Sequence, residues 1–321
     1  MERVDFVYLW VDGNDPVWQQ QKANAMAESG RVFDPQAVAK GRFAENDELR
    51  YSLRSVEKFA PWVGTIHIVT ADQCPSWLRS DHPKIHLVSH RELFAPEELP
   101  TFNSTAIEMT LHKIPGLAER FVFANDDMLF MRPVGSDFFF NPEGFPIARL
   151  GARKCRKPKS LYMNKVRRAQ RLVAEHTGKL YELPPHHNFD AYLKGDVEAC
   201  QNHFAREVEA ARSHRFRSEG EFHRSAWLYW ALAQGRAEER IVSHYGATRS
   251  LWERLACVIR GKYRMESKDL GLHRGNLRRM VRKYDPALLC LNDTERTTDA
   301  GREEMKALLE EWFPRKSSFE K

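Results

Sequence analysis

The chain has no run of about 18 consecutive apolar residues, the length that a membrane-spanning helix needs, so none is expected. A signal-peptide core is also missing, because the first residues lead directly into strand-like sequence at Val4. Cysteine is sparse. Cys74, Cys155, Cys200, Cys257 and Cys290 are odd in number, scattered, and contain no Cys-x-x-Cys pair. That argues against a disulfide framework or a zinc site and points to a reducing cytosol. Three nucleotide and hydrolase signatures are absent: the phosphate loop, the Gly-x-Gly-x-x-Gly dinucleotide turn and the Gly-x-Ser-x-Gly elbow. Repeats and low-complexity tracts are missing as well. What remains is an ordinary globular composition over 321 residues, with 42% hydrophobic and 29% charged side chains.

Strand-like apolar runs recur at residues 4–11, 65–69, 85–88 and 121–124. Between them lie helical patterns, such as Leu49, Leu53 and Val56 on one face. A further helix is expected after Asn103, with Thr105 and Glu108 placed to form a capping box. Strands alternating with helices predict an α/β fold with a mostly parallel sheet, covered on both faces. Residues 1–150 are read as this core. Residues 151–285 are read as a mainly helical insertion, with helices over 160–178, 197–213, 222–234 and 251–260. Residues 286–321 are read as a return segment and C-terminal helix.

Several apolar runs stop in polar residues. Phe121-Val122-Phe123-Ala124 ends in Asn125-Asp126-Asp127, and Leu289-Cys290-Leu291 ends in Asn292-Asp293. Val4 to Val11 ends in Asp12-Gly13-Asn14-Asp15-Pro16. Turns alone explain Asn and Asp in such places. Yet ligands of open α/β sheets bind at the carboxyl ends of strands. Paired carboxylates there suit a hard cation such as Mg²⁺ or Mn²⁺ that bridges to phosphates. Arg50 and Arg54 lie four apart on one helix face, as a diphosphate grip would require. Pairing with Glu45, Asp47 or Glu48 is the plainer alternative, and Asp47 could simply cap the helix. His186 and His187 offer a general base toward a hydroxyl, against the alternative of loop hydrogen-bonders.

The net charge of +6 allows an anionic partner. Basic residues cluster at 152–171 and 260–283. Aromatics lie mostly in strand-like runs rather than beside these clusters, so nucleic acid is not expected.

Taken in order, four blocks of the sequence resemble the Stealth family. They are Asp5 to Pro16; Arg42 to Pro133, including Glu48 to Ser55, Pro100 to Ser104 and Asn125 to Asp127; Pro185 to about Tyr229, including Phe216-Arg217-Ser218; and Cys290 to Asp293. The resemblance implies sugar-1-phosphate transfer from a nucleotide sugar, with a UDP-sugar favoured, to a hydroxyl of a polysaccharide or oligosaccharide. It implies a Rossmann-like or GT-A-like nucleotide-sugar-binding sheet. It also implies roles: His186, His187, Asp15 and Arg217 as catalytic, with His186 favoured as base; Asp12, Gly13, Asn14, Arg42, Asp47, Arg50, Arg54, Asn103, Asn125 and Asn292 on the substrate; Asp126, Asp127 and Asp293 on the metal. A cytoplasmic location with peripheral association at the inner membrane face is the matching expectation. A metal-dependent nucleotide-sugar glycosyltransferase and a non-catalytic polyanion-binding module are the competing readings.

Overall fold

The computed structural model describes residues 2–30, 43, 46–154, 160–243, 250–261, 263–294 and 296–321. The strands are β1 (Val4–Leu9), β2 (Ile66–Thr70), β3 (Ile85–Ser89), β4 (Arg120–Asn125), β5 (Met128–Phe130), β6 (Ile147–Gly151), β7 (Asp190–Leu193), β8 (Glu238–Val242), β9 (Ser267–Gly271) and β10 (Leu288–Asn292). The helices are α1 (Pro16–Ser29), α2 (Glu48–Phe59), α3 (His90–Leu93), α4 (Ser104–Glu108), α5 (Leu161–Thr177), α6 (Lys194–His203), α7 (Ala205–Arg212), α8 (Ser225–Ala233), α9 (Leu251–Arg260), α10 (Leu277–Tyr284) and α11 (Asp299–Trp312).

The main sheet has the order β3-β2-β1-β4-β7. Its first four members are parallel, and β7 joins the edge antiparallel to β4. The expected mainly parallel α/β class is therefore observed. Side chains alternate across this sheet, and both faces are covered. Val7, Phe121 and Phe123 pack into one cluster with Val166, Val173, Trp227 and Tyr229 of α5 and α8. Phe6, Tyr8, Val122 and Ala124 pack into another with Leu49, Leu53 and Val56 of α2. Coverage on both faces is why these strands read as unbroken apolar runs.

A smaller sheet, β5-β10-β9, continues from the first. β4 stops at Asn125 and β5 starts at Met128, so Asp126-Asp127 is the whole link between those two strands of different sheets. The Leu291 N–H donates to the Asp127 carbonyl at 3.0 Å, locking that link against β10. α2 sits across the junction. Ser52 Oγ lies 3.0 Å from Tyr8 Oη and donates to the Met128 carbonyl, while Phe130 N donates to Ser55 Oγ at 2.9 Å.

One expectation is extended and one corrected. The segment 151–285 carries the helices α5 to α10, and it also supplies β7 to the main sheet, β8 to a parallel pair with β6, and β9 to the smaller sheet. These strands are short, and their partners lie far away in sequence. α4 is capped by Asn103, whose Oδ1 accepts from Thr105 N at 3.1 Å, rather than by a Thr105–Glu108 box.

Candidate active site

From β1 the chain winds outward to β2 and β3, then returns past β1 to form β4. The order reverses between β1 and β4, and the crevice beyond their carboxyl ends is where such sheets hold ligands. Leu9 pairs with Asn125, so both strands finish at the same level. A cavity of about 560 Å³ opens at that place.

One wall is acidic. It is built from Asn125, Asp126 and Asp127 of the inter-sheet link, Asp269 of β9, Asn292 and Asp293 after β10, and Glu48 of α2. Asp127 Oδ1 is sealed from solvent and takes no hydrogen bond from the described residues. Burial, then repulsion from Asp269 and Glu48, pushes the Asp127 carboxyl up to about 7. The Asp127 Oδ2 atom accepts from the Cys290 thiol at 3.4 Å. Burial also raises Glu48, whose carboxylate accepts from Asn46 N and Nδ2 at 2.7 and 2.9 Å.

A second set of lining residues is cationic: Lys165, Arg217 and Arg224 share the same space. Lys165 is buried and bonds Thr105 and Glu221. Arg224 donates to Asp190 and to Tyr192 Oη. Arg217 donates to Ser104 Oγ and forms no ion pair among the described residues. Glu108 stands among these cations, and its Oε2 takes no hydrogen bond from the described residues. Arg224 Nε lies 3.5 Å and the neutral His223 Nε2 3.8 Å from that oxygen. Aromatic residues Trp10, Trp18, Phe43 and Phe102 complete the lining.

Three histidines, His90, His187 and His223, line the cavity, and the last two are held in different states. His187 Nδ1 lies 3.5 Å from Cys290 Sγ and 3.8 Å from Asp269 Oδ2. Burial keeps the Cys290 thiol protonated, and its proton is directed at Asp127. The sulfur is then the acceptor for His187 Nδ1–H, which leaves Nε2 as the basic nitrogen. Burial lowers His187 and keeps it neutral. His223 is the reverse. Its Nδ1 accepts from Ser225 N at 3.2 Å, so the proton sits on Nε2, facing Glu108.

Two family models match this chain: Stealth protein CR1, conserved region 1, over residues 2–30, and Stealth protein CR2, conserved region 2, over residues 42–147. Exopolysaccharide phosphotransferase SCO6021 of Streptomyces coelicolor is 35% identical over 331 residues, which cover 99% of this chain and 57% of that one. Exopolysaccharide phosphotransferase CpsY of Mycobacterium tuberculosis is 32% identical over 332 residues, covering 99% and 58%. This chain belongs to the Stealth family. It spans just over half the length of those relatives. Among solved structures, the galactosyltransferase LgtC in complex with donor and acceptor sugar analogs aligns over 98% of both chains, with a TM-score of 0.46 and 11% identity.

The Stealth blocks do not all converge on the cavity. His187, Arg217, Asn125, Asp126, Asp127, Asn292 and Asp293 line it. His186 does not: its Nδ1 lies 3.2 Å from Ser267 Oγ, and burial drops it to about 4. Asp15 caps α1 through Val17 N at 2.8 Å and accepts from Gln73 Nε2 at 3.0 Å. Asp12 accepts from Asn14 N at 2.8 Å in a local turn, and exposed Asn14 lies outside the lining. Gly13 is needed because a Cβ there would overlap the Phe43 carbonyl. Asn103 caps α4 and donates to Glu221 Oε1 at 2.8 Å, which fixes the loop that carries Arg217.

Asp47 makes no side-chain cap hydrogen bond, and its φ of 64° opens α2 from the left-handed region. Arg50 and Arg54 do share a face, but they grip a carboxylate rather than facing the cavity. Both donate to Glu320, Arg50 Nε at 2.6 Å and Arg54 Nε at 2.7 Å. Asp293 is held by Arg302 at 2.8 and 3.2 Å, so it is not a free metal ligand. Arg42 lies outside the described residues.

Sequence reading missed Glu48, Glu108, Lys165, His223, Arg224 and Asp269. Lys165 was counted in a surface basic cluster, although it is 3% exposed at the side chain. For Asp269 there was no local signal, because β9 is a short polar strand placed by β10.

Proposed function

We propose that the chain transfers a sugar-1-phosphate from a nucleotide sugar to a hydroxyl of a saccharide acceptor in exopolysaccharide synthesis. One observation carries this reading: a single cavity at the sheet's switch point is lined both by acidic residues, one with an unsatisfied buried carboxylate oxygen, and by three cationic side chains. A nucleotide diphosphate held near a divalent cation needs both sets.

A hard divalent cation fits the acidic wall. Asp127 Oδ1 is an orphaned buried oxygen, and Asp269 repels it across the same space. The donor atoms of His187, Asp269 and Cys290 also cluster within 4.8 Å. A hard cation such as Mg²⁺ or Mn²⁺ prefers oxygen to sulfur, so the carboxylates of Asp127 and Asp269, with Asp126 beside them, would be its holders rather than the Cys290 thiol. When bound, Mg²⁺ or Mn²⁺ would neutralise charge on the donor phosphates.

The protein's own residues supply the rest. Arg217, which has no ion pair among the described residues, takes the phosphoryl oxygens, and Lys165 and Arg224 set a positive field behind it. His187 Nε2 removes the proton from the acceptor hydroxyl. The acceptor oxygen forms a bond to the sugar-bearing phosphorus, and the phosphoanhydride bond to the nucleoside monophosphate breaks. His223, which carries its proton toward Glu108, positions that carboxylate rather than acting as base.

A panel of nucleotide sugars incubated with Mg²⁺ and oligosaccharide acceptors tests the reading. Release of a nucleoside monophosphate together with acceptor phosphodiester supports it. Release of a nucleoside diphosphate indicates glycosyl transfer instead and overturns it.

A further inference from the structure

Among the described helices, α9 stands apart in how it places its apolar residues. Five of the eight large apolar side chains left exposed among the described residues belong to it: Leu251 (80%), Trp252 (78%), Leu255 (49%), Val258 (53%) and Ile259 (75%). At 100° per residue they fall within an arc of about 120° on one face. Cys257, its one buried residue, points nearly opposite. The helix rests on the protein by its narrow side and presents its apolar stripe outward.

The helix is also self-contained. Ser250 and Glu253 form a reciprocal capping box at 2.9 and 3.3 Å, and Gly261 closes the other end with a φ of 62°. Such caps stabilise both ends of the helix while its apolar face stays exposed. A contiguous exposed apolar stripe of this kind marks an interaction surface.

Basic side chains flank the stripe on α9 itself and cluster on α10. Exposed Arg254 and Arg260 lie beyond its two margins, and exposed Arg264 follows the helix. α10 adds exposed Arg279, Arg282 and Lys283. Its end is fixed beside α9, because Tyr263 N donates to the Lys283 carbonyl at 2.7 Å and Tyr263 stacks on Tyr284 at 5.8 Å. A basic collar around a Trp-, Leu- and Ile-bearing stripe matches an interfacial helix that lies in the headgroup region of an anionic bilayer. A polysaccharide would leave the apolar stripe unmatched. A second copy would bring two basic collars together.

We propose that α9 is a peripheral membrane anchor that binds anionic lipid, with Trp252, Leu255 and Ile259 seated at the acyl boundary. The proposal does not depend on the reading of the cavity. The observations bind it to no membrane-spanning segment: among the described residues no helix is long and apolar enough to cross a bilayer.

The test is co-sedimentation of the full chain with phosphatidylcholine vesicles, with and without phosphatidylglycerol. Binding is expected only with phosphatidylglycerol, falling as salt screens the collar. Trp252→Ser with Ile259→Ser should weaken binding by about tenfold or more. Arg254→Gln and Arg260→Gln should each weaken it by roughly fivefold. Brominated acyl chains should quench the protein's fluorescence, and Trp252→Phe should remove most of that quenching. Unchanged melting and unchanged turnover on short soluble acceptors would confirm that the variants are folded. Failure to bind anionic vesicles overturns the proposal. So does binding that the stripe variants leave intact, or a stable dimer in solution that Ile259→Ser dissociates.

Discussion

Asp126 and Asp127 are neighbours with different surroundings. Asp127 carries the sealed, unsatisfied oxygen, and its charge is opposed by burial, Asp269 and Glu48. Asp127→Asn keeps the shape and removes that charge. It is expected to lower turnover by about 10²–10³-fold and to leave the melting temperature in EDTA unchanged or higher. A large drop in melting temperature with turnover retained would make Asp127 structural. The histidine pair separates in the same way. His187→Ala should lose turnover on the order of 10²–10⁴-fold while still binding donor, and His186→Ala should lose only a few-fold. Equal small losses in both would remove His187 as base. The sequence showed a pair that could not both face one oxygen. Choosing the member that does required the position of Cys290, which lies about a hundred residues further along the chain. Arg217→Lys keeps charge but loses the planar fork, so impaired turnover with an unchanged fold is expected.

At the scale of elements, α2 shows how far spacing can reach. The four-residue interval correctly placed Arg50 and Arg54 on one face, but not what that face meets. Their partner, Glu320, is separated from them by 270 and 266 residues. The pair of arginines ties α2 to the C-terminal end rather than to a diphosphate. Their hydrogen bonds drop the Glu320 carboxyl to about 2 despite its burial. Because the folded value is depressed, the stabilisation is full above the ordinary glutamate value near 4.5 and is lost as pH falls toward 2. Glu320→Gln should cost roughly 3 kcal/mol at neutral pH, since it strands a buried Arg54. It should also flatten the acid limb of the stability curve. Denaturant titration at several pH values checks both, and a parent-like acid limb in the variant would contradict the assignment. The missed strands have the same cause. β7, β8 and β9 are short, and β8 and β9 carry charged residues, so pairing with distant strands rather than local pattern makes them strands.

For the whole molecule, the parallel core and its acidic strand ends were legible because both faces of the main sheet are buried. The cationic wall was not. Arg224 and Lys165 come from a loop and a helix that pack over the sheet, and only the topology brings them to the same cavity as Asp127 and Asp269. On the proposed reading, phosphate moves with the sugar. The direct check is to follow a label in the sugar-proximal phosphate of the donor during turnover with an oligosaccharide acceptor. The account predicts that the labelled phosphorus enters the acceptor as a phosphodiester, with unlabelled nucleoside monophosphate released. Label that stays with the nucleotide while the sugar reaches the acceptor would contradict it.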